Sequence, residues 1–151
     1  MASELFERMK YFYDNSKLAQ KVAAPLKEGA CAEVQFEGDP GTYMMIKEGG
    51  KSVFKEGKPA KPEIYMKFSQ GAIDYLLELE QKGVEDVEEY VTRFAECILN
   101  PTPERKIEFK LCANVLTGAR MGYFGMMRLG GKKAIDLVLK MGIKIPKKFL
   151  K

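Results

Sequence analysis

The change of period at Ser69 constrains this chain more than any other feature. Residues 62–79 read PEIYMKFSQGAIDYLLEL. As far as Phe68 the stretch alternates, with Ile64, Met66 and Phe68 on one face and Glu63, Tyr65 and Lys67 on the other. That is the period-two pattern of a half-buried strand. Beyond Ser69 the apolar residues take helical spacing, with Ile73, Leu76 and Leu77 on one side. A strand running straight into an apolar helix has two faces to bury, so it needs a layered partner.

The rest of the chain repeats both patterns. Residues 3–28 read as a helical segment: Ser3 can cap it, and Leu5, Phe6, Met9, Phe12 and Tyr13 fall on helical spacing. The DNS at 14–16 can break and re-cap it before Pro25 and Gly29. Three strands follow with turn residues between them. ACAEVQF sets Ala32, Val34 and Phe36 against Glu33, Gln35 and Glu37; then come TYMMIK and KSVFKEG. From Gln70 to about Leu99 the spacing predicts two helices split near Gly83, the second capped by Asp86 with Val87, Tyr90, Val91, Phe94 and Ile98 on its apolar side. KIEFKLC at 106–112 is a fifth strand, followed by broken helix with glycines at 118, 122, 125, 130 and 131.

Three consecutive strands with short turns predict an antiparallel meander with one wet face. The expected fold is therefore α+β: about five strands in a mainly antiparallel sheet, with helices packed on one face. At 151 residues the chain fits one domain. Its expected parts are the N-terminal helical segment 3–28, a core over 29–141 and a basic tail over 142–151.

Composition narrows the chemistry. There is no histidine, which removes serine–histidine and cysteine–histidine nucleophile pairs and histidine metal ligands. Three widely spaced cysteines, Cys31, Cys97 and Cys112, and no apolar leader predict reduced thiols and a cytoplasmic protein. No apolar run is long enough to span a membrane. The net charge of +4 is unevenly spread: residues 101–151 carry twelve Lys or Arg against Glu104, Glu108 and Asp136, a local +9. A basic end makes acidic partners such as phospholipid headgroups or nucleic acid thinkable. No row of aromatic stacking platforms and no helix-in-groove motif accompanies that charge, so nucleic acid is not expected.

Several motifs fail on context. EGGKS at 48–52 resembles the end of a phosphate-binding loop, but Met45 stands where that loop needs glycine and VFKEG reads as strand. It is a hairpin turn. The cysteines lack metal-site spacing, and the carboxylates of EDVEEY at 85–90 suit a helix N-terminal turn. No metal and no cofactor is expected. Lys132, Lys133, Lys140, Lys144, Lys147 and Lys148 are interleaved with Ile135, Leu137, Val138, Leu139, Ile143 and Phe149. This is either a solvated face of a packed helix or an amphipathic, cationic surface for an anionic membrane. Met121, Met126 and Met127 lie among glycines, a combination suited to an adaptable helix beside a cavity.

The segment GTYMMIKEGGKSVFKEGKPAKPEIYMKFSQGAIDYLL resembles the sterol carrier protein type 2 domain. The resemblance lies in the succession Tyr43–Lys47, Gly49–Gly50, Ser52–Lys55, Gly57, Pro62–Glu63, Ile64–Phe68 and a Ser69-initiated helix, within a likeness spanning roughly residues 20–140. KIEFKLCANVLTGARMG departs from it by lacking the glycine-flanked form common there. The resemblance implies five strands covered by helices, a hydrophobic tunnel between them, and non-catalytic binding and transfer of a sterol, fatty acid, acyl chain or phospholipid. The implied ligand-facing residues are Ile64, Met66, Phe68, Ile73, Leu76, Leu77, Phe94, Phe109, Leu111, Met121, Phe124 and Met127.

Two other readings fit the sequence as well. A small enzyme or accessory domain acting on a hydrophobic substrate would have to use Tyr65, Lys67, Tyr75 or Cys112. An interaction module would use the same apolar groove for a partner helix or a second copy, and monomer and homodimer are both compatible with the sequence.

Overall fold

A computed structural model describes residues 3–81, 86–140 and 142. Two helices open the chain, α1 (Glu4–Asn15) and α2 (Lys17–Ala23). The Ser3 side chain accepts from the Phe6 N–H at 3.1 Å, and Ser16 ends α1 and caps α2 by accepting from Ala19 N–H at 3.1 Å. The break expected at DNS is therefore a serine re-cap between two helices, each cap satisfying an amide that has no partner within its helix.

The sheet is built from β1 (Cys31–Phe36), β2 (Tyr43–Glu48), β3 (Lys51–Glu56), β4 (Ile64–Phe68) and β5 (Ile107–Leu111), in the order β3-β2-β1-β4-β5. The first three strands form the expected antiparallel meander. Gly49 and Gly50 make the tight β2–β3 turn at φ +59° and +81°, the left-handed pair a two-residue hairpin requires. EGGKS is thus a hairpin turn. β4 then pairs with β1 in parallel, and β5 returns antiparallel to β4. One ladder of the four is parallel, so the sheet is mixed, with antiparallel pairing dominant.

Between β4 and β5 the chain forms α3 (Gln70–Gln81) and α4 (Val87–Leu99), with Asp86 capping α4 through Glu88 N–H. The expected break near Gly83 lies outside the described residues. After β5 come α5 (Val115–Arg120), α6 (Tyr123–Arg128) and α7 (Gly131–Lys140).

Alternation decides which face is covered. Ala32, Val34, Phe36, Tyr43, Met45, Phe54, Ile64, Met66, Phe68 and Ile107 are buried beneath the helices. On the other face Glu33, Gln35, Tyr65 and Lys67 are half-buried, and Glu108 and Lys110 are exposed. Aromatic rings lock the helical layer to the sheet: Phe6 stacks on Tyr43 at 4.6 Å, and Phe68 meets Phe94 edge to face at 5.9 Å. Lys47 falls on the buried side, where its ammonium donates to the Ala23 carbonyl at 2.9 Å and so closes the end of α2.

Candidate functional site

The alternation that buries one sheet face also builds an apolar cavity over part of it. Met45 from β2, Ile64 and Met66 from β4, and Phe109 and Leu111 from β5 form its floor. One wall is α4, through Tyr90, Val91, Phe94, Ala95 and Ile98. Gly118 of α5, Tyr123, Phe124, Met126 and Met127 of α6, and Val138 of α7 form the cover, while Tyr13 and Val22 approach from the N-terminal helices. Among the described residues, no lining side chain carries a formal charge. The cavity measures about 80 Å³, well below the roughly 300–1,000 Å³ of pockets that hold drug-sized ligands. A long-chain ligand would enter only if wall side chains shifted. The wall suits such movement, because Met126 and Met127 are half-buried thioethers on a short helix beside Gly125.

The cover is placed by a glycine. Gly122, at φ +94°, turns the chain between α5 and α6 and lies against the backbone of Pro25 and Leu26. A neighbouring bond from Lys27 N–H to the Met121 carbonyl, 2.9 Å, holds that corner. The turn sets Tyr123 with its ring on the cavity and its hydroxyl donating to Glu63 Oε1 at 3.2 Å. Burial pushes the Tyr123 hydroxyl well above the ordinary phenol range, and the Glu63 carboxylate adds to the rise. Burial alone lifts the Tyr13 hydroxyl to about 12. Both phenols therefore stay protonated at any ordinary pH.

Of the residues expected at a ligand, Ile64, Met66, Phe94, Phe109, Leu111, Phe124 and Met127 line this cavity. Phe68, Ile73, Leu76, Leu77 and Met121 do not. Phe68 sits at the far end of β4 between Phe36 and Phe94. Ile73 and Leu76 are wholly buried on α3, which packs on α1 and α4 rather than over the cavity. Leu77 lines a separate, more polar groove along α1, with Arg8, Tyr11 and Phe12. Met121 is half-buried at the glycine corner. Tyr123 and Gly118 lacked a clear sequence signal because α5 and α6, at six residues each, are too short to display a period; Met126 was legible among the glycines, and Val138 from the amphipathic spacing of α7. Met45, by contrast, is legible from the alternation of β2, and Tyr90, Val91 and Ile98 from the spacing of α4.

The basic residues separate from the cavity. Lys132, Lys133 and Lys140 are exposed on α7, and Lys133 pairs with Glu96 at 3.2 Å. Lys144, Lys147 and Lys148 lie outside the described residues. Leu116 of α5 and Leu139 of α7 are also exposed, each at 42%.

The groups an enzyme would have needed are scattered. Tyr65 and Lys67 lie on the uncovered sheet face, Tyr75 is stacked beneath the Arg105 guanidinium at 3.9 Å, and Cys112 is exposed at the end of β5. None lines the cavity. Among the described residues no cluster of carboxylates and thiols could hold a metal ion, and no helix is long and apolar enough to cross a membrane.

Neither a protein-family model nor a curated protein matches the chain. Among solved structures it is similar to one described as "UbiJ-SCP2 Ubiquinone synthesis protein", at 7% identity and a TM-score of 0.43, over 83% of this chain and 92% of that one. A likeness of that strength carries no argument about what this protein binds.

Proposed function

We propose that this protein is a non-catalytic, cytoplasmic carrier of a hydrophobic ligand such as a sterol, fatty acid, acyl chain or phospholipid. The observation that carries the reading is the cavity wall: uncharged, floored by alternate residues of three strands and covered by a short helix that sets Met126 and Met127 beside Gly125. The sequence resemblance to the sterol carrier protein type 2 domain points the same way.

Energetics favour exchange over tight capture. Burying a sixteen-carbon chain yields on the order of 12 kcal/mol gross at about 0.8 kcal/mol per methylene. A bilayer offers nearly the same burial, so the cavity need only match it. Opening a space of about 80 Å³ to admit the chain uses up part of that gain and weakens retention. Weak retention is what a carrier requires.

The basic C-terminal segment, with Lys132 and Lys140 exposed on α7, supplies the contact with an anionic membrane during exchange. Leu116 and Leu139 add apolar contacts on the covering helices. Association with phosphatidylserine vesicles should fall steeply by about 0.5 M salt, where screening acts within a few ångströms. Unchanged binding would rule out electrostatic docking.

Native mass spectrometry of freshly purified protein, paired with organic extraction, tests the carrier itself. Adducts of lipid mass that vanish on extraction are expected. A bare protein of 17.1 kDa that takes up neither a fluorescent fatty acid nor a fluorescent sterol would overturn the reading.

A further inference from the structure

We propose that the open edge of the sheet is an interface between two copies of this chain: β5 pairs antiparallel with β5 of a partner subunit about a two-fold axis at Phe109. This inference concerns assembly and stands apart from the carrier reading.

The two edges of the sheet differ. β3 ends one side and β5 the other. At β3 the outward backbone of Ser52 is taken up by Gln20, whose side-chain amide donates to the Ser52 carbonyl and accepts from its N–H, both at 3.4 Å. Helix α1 also packs along that strand. β5 is bonded on one side. The Ser69 N–H donates to the Lys106 carbonyl and the Cys112 N–H to the Glu63 carbonyl, which fixes the phase of the β4–β5 ladder. Glu108 and Lys110 therefore bond to β4, while Ile107, Phe109 and Leu111 turn their N–H and C=O groups outward. Among the described residues none of these outward groups has a hydrogen-bond partner. An open row of this kind is a template for another strand.

The sequence of β5, IEFKL, is complementary to itself. Antiparallel pairing centred on Phe109 sets Ile107 opposite Leu111 of the partner subunit and Glu108 opposite Lys110 of the partner subunit. Outward groups then meet outward groups, and each such facing pair exchanges both its bonds. Glu108 and the partner's Lys110 fall in the closely spaced pairs between them, where opposite charge stabilises most. Both side chains are exposed. Among the described residues neither belongs to an ion pair, although Lys67 faces Glu108 across the β4–β5 ladder. Sliding the register by two residues sets Glu108 against the partner's Glu108 or Lys110 against the partner's Lys110, and like charges placed opposite repel. Charge selects one register.

The helix-covered face agrees. Ile64 and Met66 on β4 are buried, whereas Phe109 and Leu111, beside them on β5, are half-buried. The partner's Phe109 and Ile107 cover that remaining apolar surface, which belongs to the cavity floor.

The unmodified full chain gives the first test. Sedimentation velocity should show a monomer that converts to dimer as concentration rises. Amide exchange resolved by NMR should slow about tenfold at Phe109 and Leu111 as the dimer forms, while the inward Lys110 amide changes little. Glu108→Lys or Lys110→Glu alone places like charges opposite one another, and each variant should dimerise at least about tenfold more weakly. Mixed together the two variants are complementary again and should form a dimer with one copy of each. Both positions are exposed and outside the cavity, so neither substitution disturbs the core.

A chain that stays monomeric at millimolar concentration overturns the proposal. So does a dimer with unchanged exchange at Phe109 and Leu111, one that ignores either charge reversal, or one whose two variants fail to associate on mixing. Sedimentation and exchange need no variant, so they decide even if a substituted protein does not fold.

Discussion

Gly122 lies so close to Pro25 that a β-carbon on it would overlap the Pro25 carbonyl. Its φ of +94° is itself a conformation side chains resist. Gly122→Ala should therefore lose roughly 2–4 kcal/mol, the left-handed penalty plus the overlap. Gly29, at φ +86° with open space around it, isolates the first term. Gly29→Ala should lose only about 1–2 kcal/mol. Urea titrations compare the two, and equal losses would show that the close approach contributes nothing.

Gly118 behaves oppositely. It lies within α5, where an added β-carbon would sit at 3.6 Å from Leu111 Cδ1, an ordinary contact. Gly118→Ala should raise stability by about 0.5–1 kcal/mol by restricting the unfolded chain. Gly118 also lines the cavity. Gly118→Leu should then obstruct it and reduce uptake of a fluorescent fatty acid, which titration measures. Undiminished uptake would place the fatty acid elsewhere.

Ser52 is 1% exposed on the helix-covered face of β3, and among the described residues its hydroxyl has no hydrogen-bond partner. An unpaired buried hydroxyl is a net cost. Ser52→Ala should leave the fold intact and raise stability by about 1 kcal/mol. A lower thermal midpoint for the variant would mean the hydroxyl is satisfied in solution.

Asp39 couples stability to pH. Its partial burial pushes its carboxyl up, but hydrogen bonds from Ser3, Tyr43 and the Gly41 N–H outweigh that and hold it below the usual value. The Tyr43 hydroxyl approaches to 2.6 Å and the Gly41 N–H to 2.8 Å. A carboxyl lowered in the folded state stabilises above its unfolded value, about 3.9, and that contribution fades as pH falls through the folded value. The stability gap between the unmodified protein and Asp39→Asn should thus be constant near neutrality and close in acid. A gap that does not change with pH, measured by urea unfolding, would mean that Asp39 ionisation does not contribute.

Cys112 is the exposed thiol, whereas Cys31 and Cys97 are buried. Burial, then the charge of Glu33, raises the Cys112 thiol, and Lys110 only partly offsets them. Iodoacetamide should label Cys112 first, more slowly than free cysteine at neutral pH, with the rate climbing as the thiolate forms in alkali. Labelling faster than free cysteine would revive a catalytic thiol.

The elements and half of the cavity were legible in the chain because local rules produce them. Alternation in ACAEVQF, PEIYMKF and KIEFKLC places Ile64, Met66, Phe109 and Leu111 on the buried face whatever the neighbouring strands are. Ser3 and Asp86 announce their helix starts because a cap needs only its own next residues. Tertiary structure decided what alternation does not encode. A strand reads the same beside a parallel or an antiparallel neighbour, so the β1–β4 pairing came only from the fold. Ile73 and Leu76 carry the same apolar signal whether they face a cavity or a packed interface, and the docking of α3 on α1 and α4 chose the interface. Glu63 and Tyr123 stand sixty residues apart. Only the turn at Gly122, seated on Pro25, brings their oxygens together.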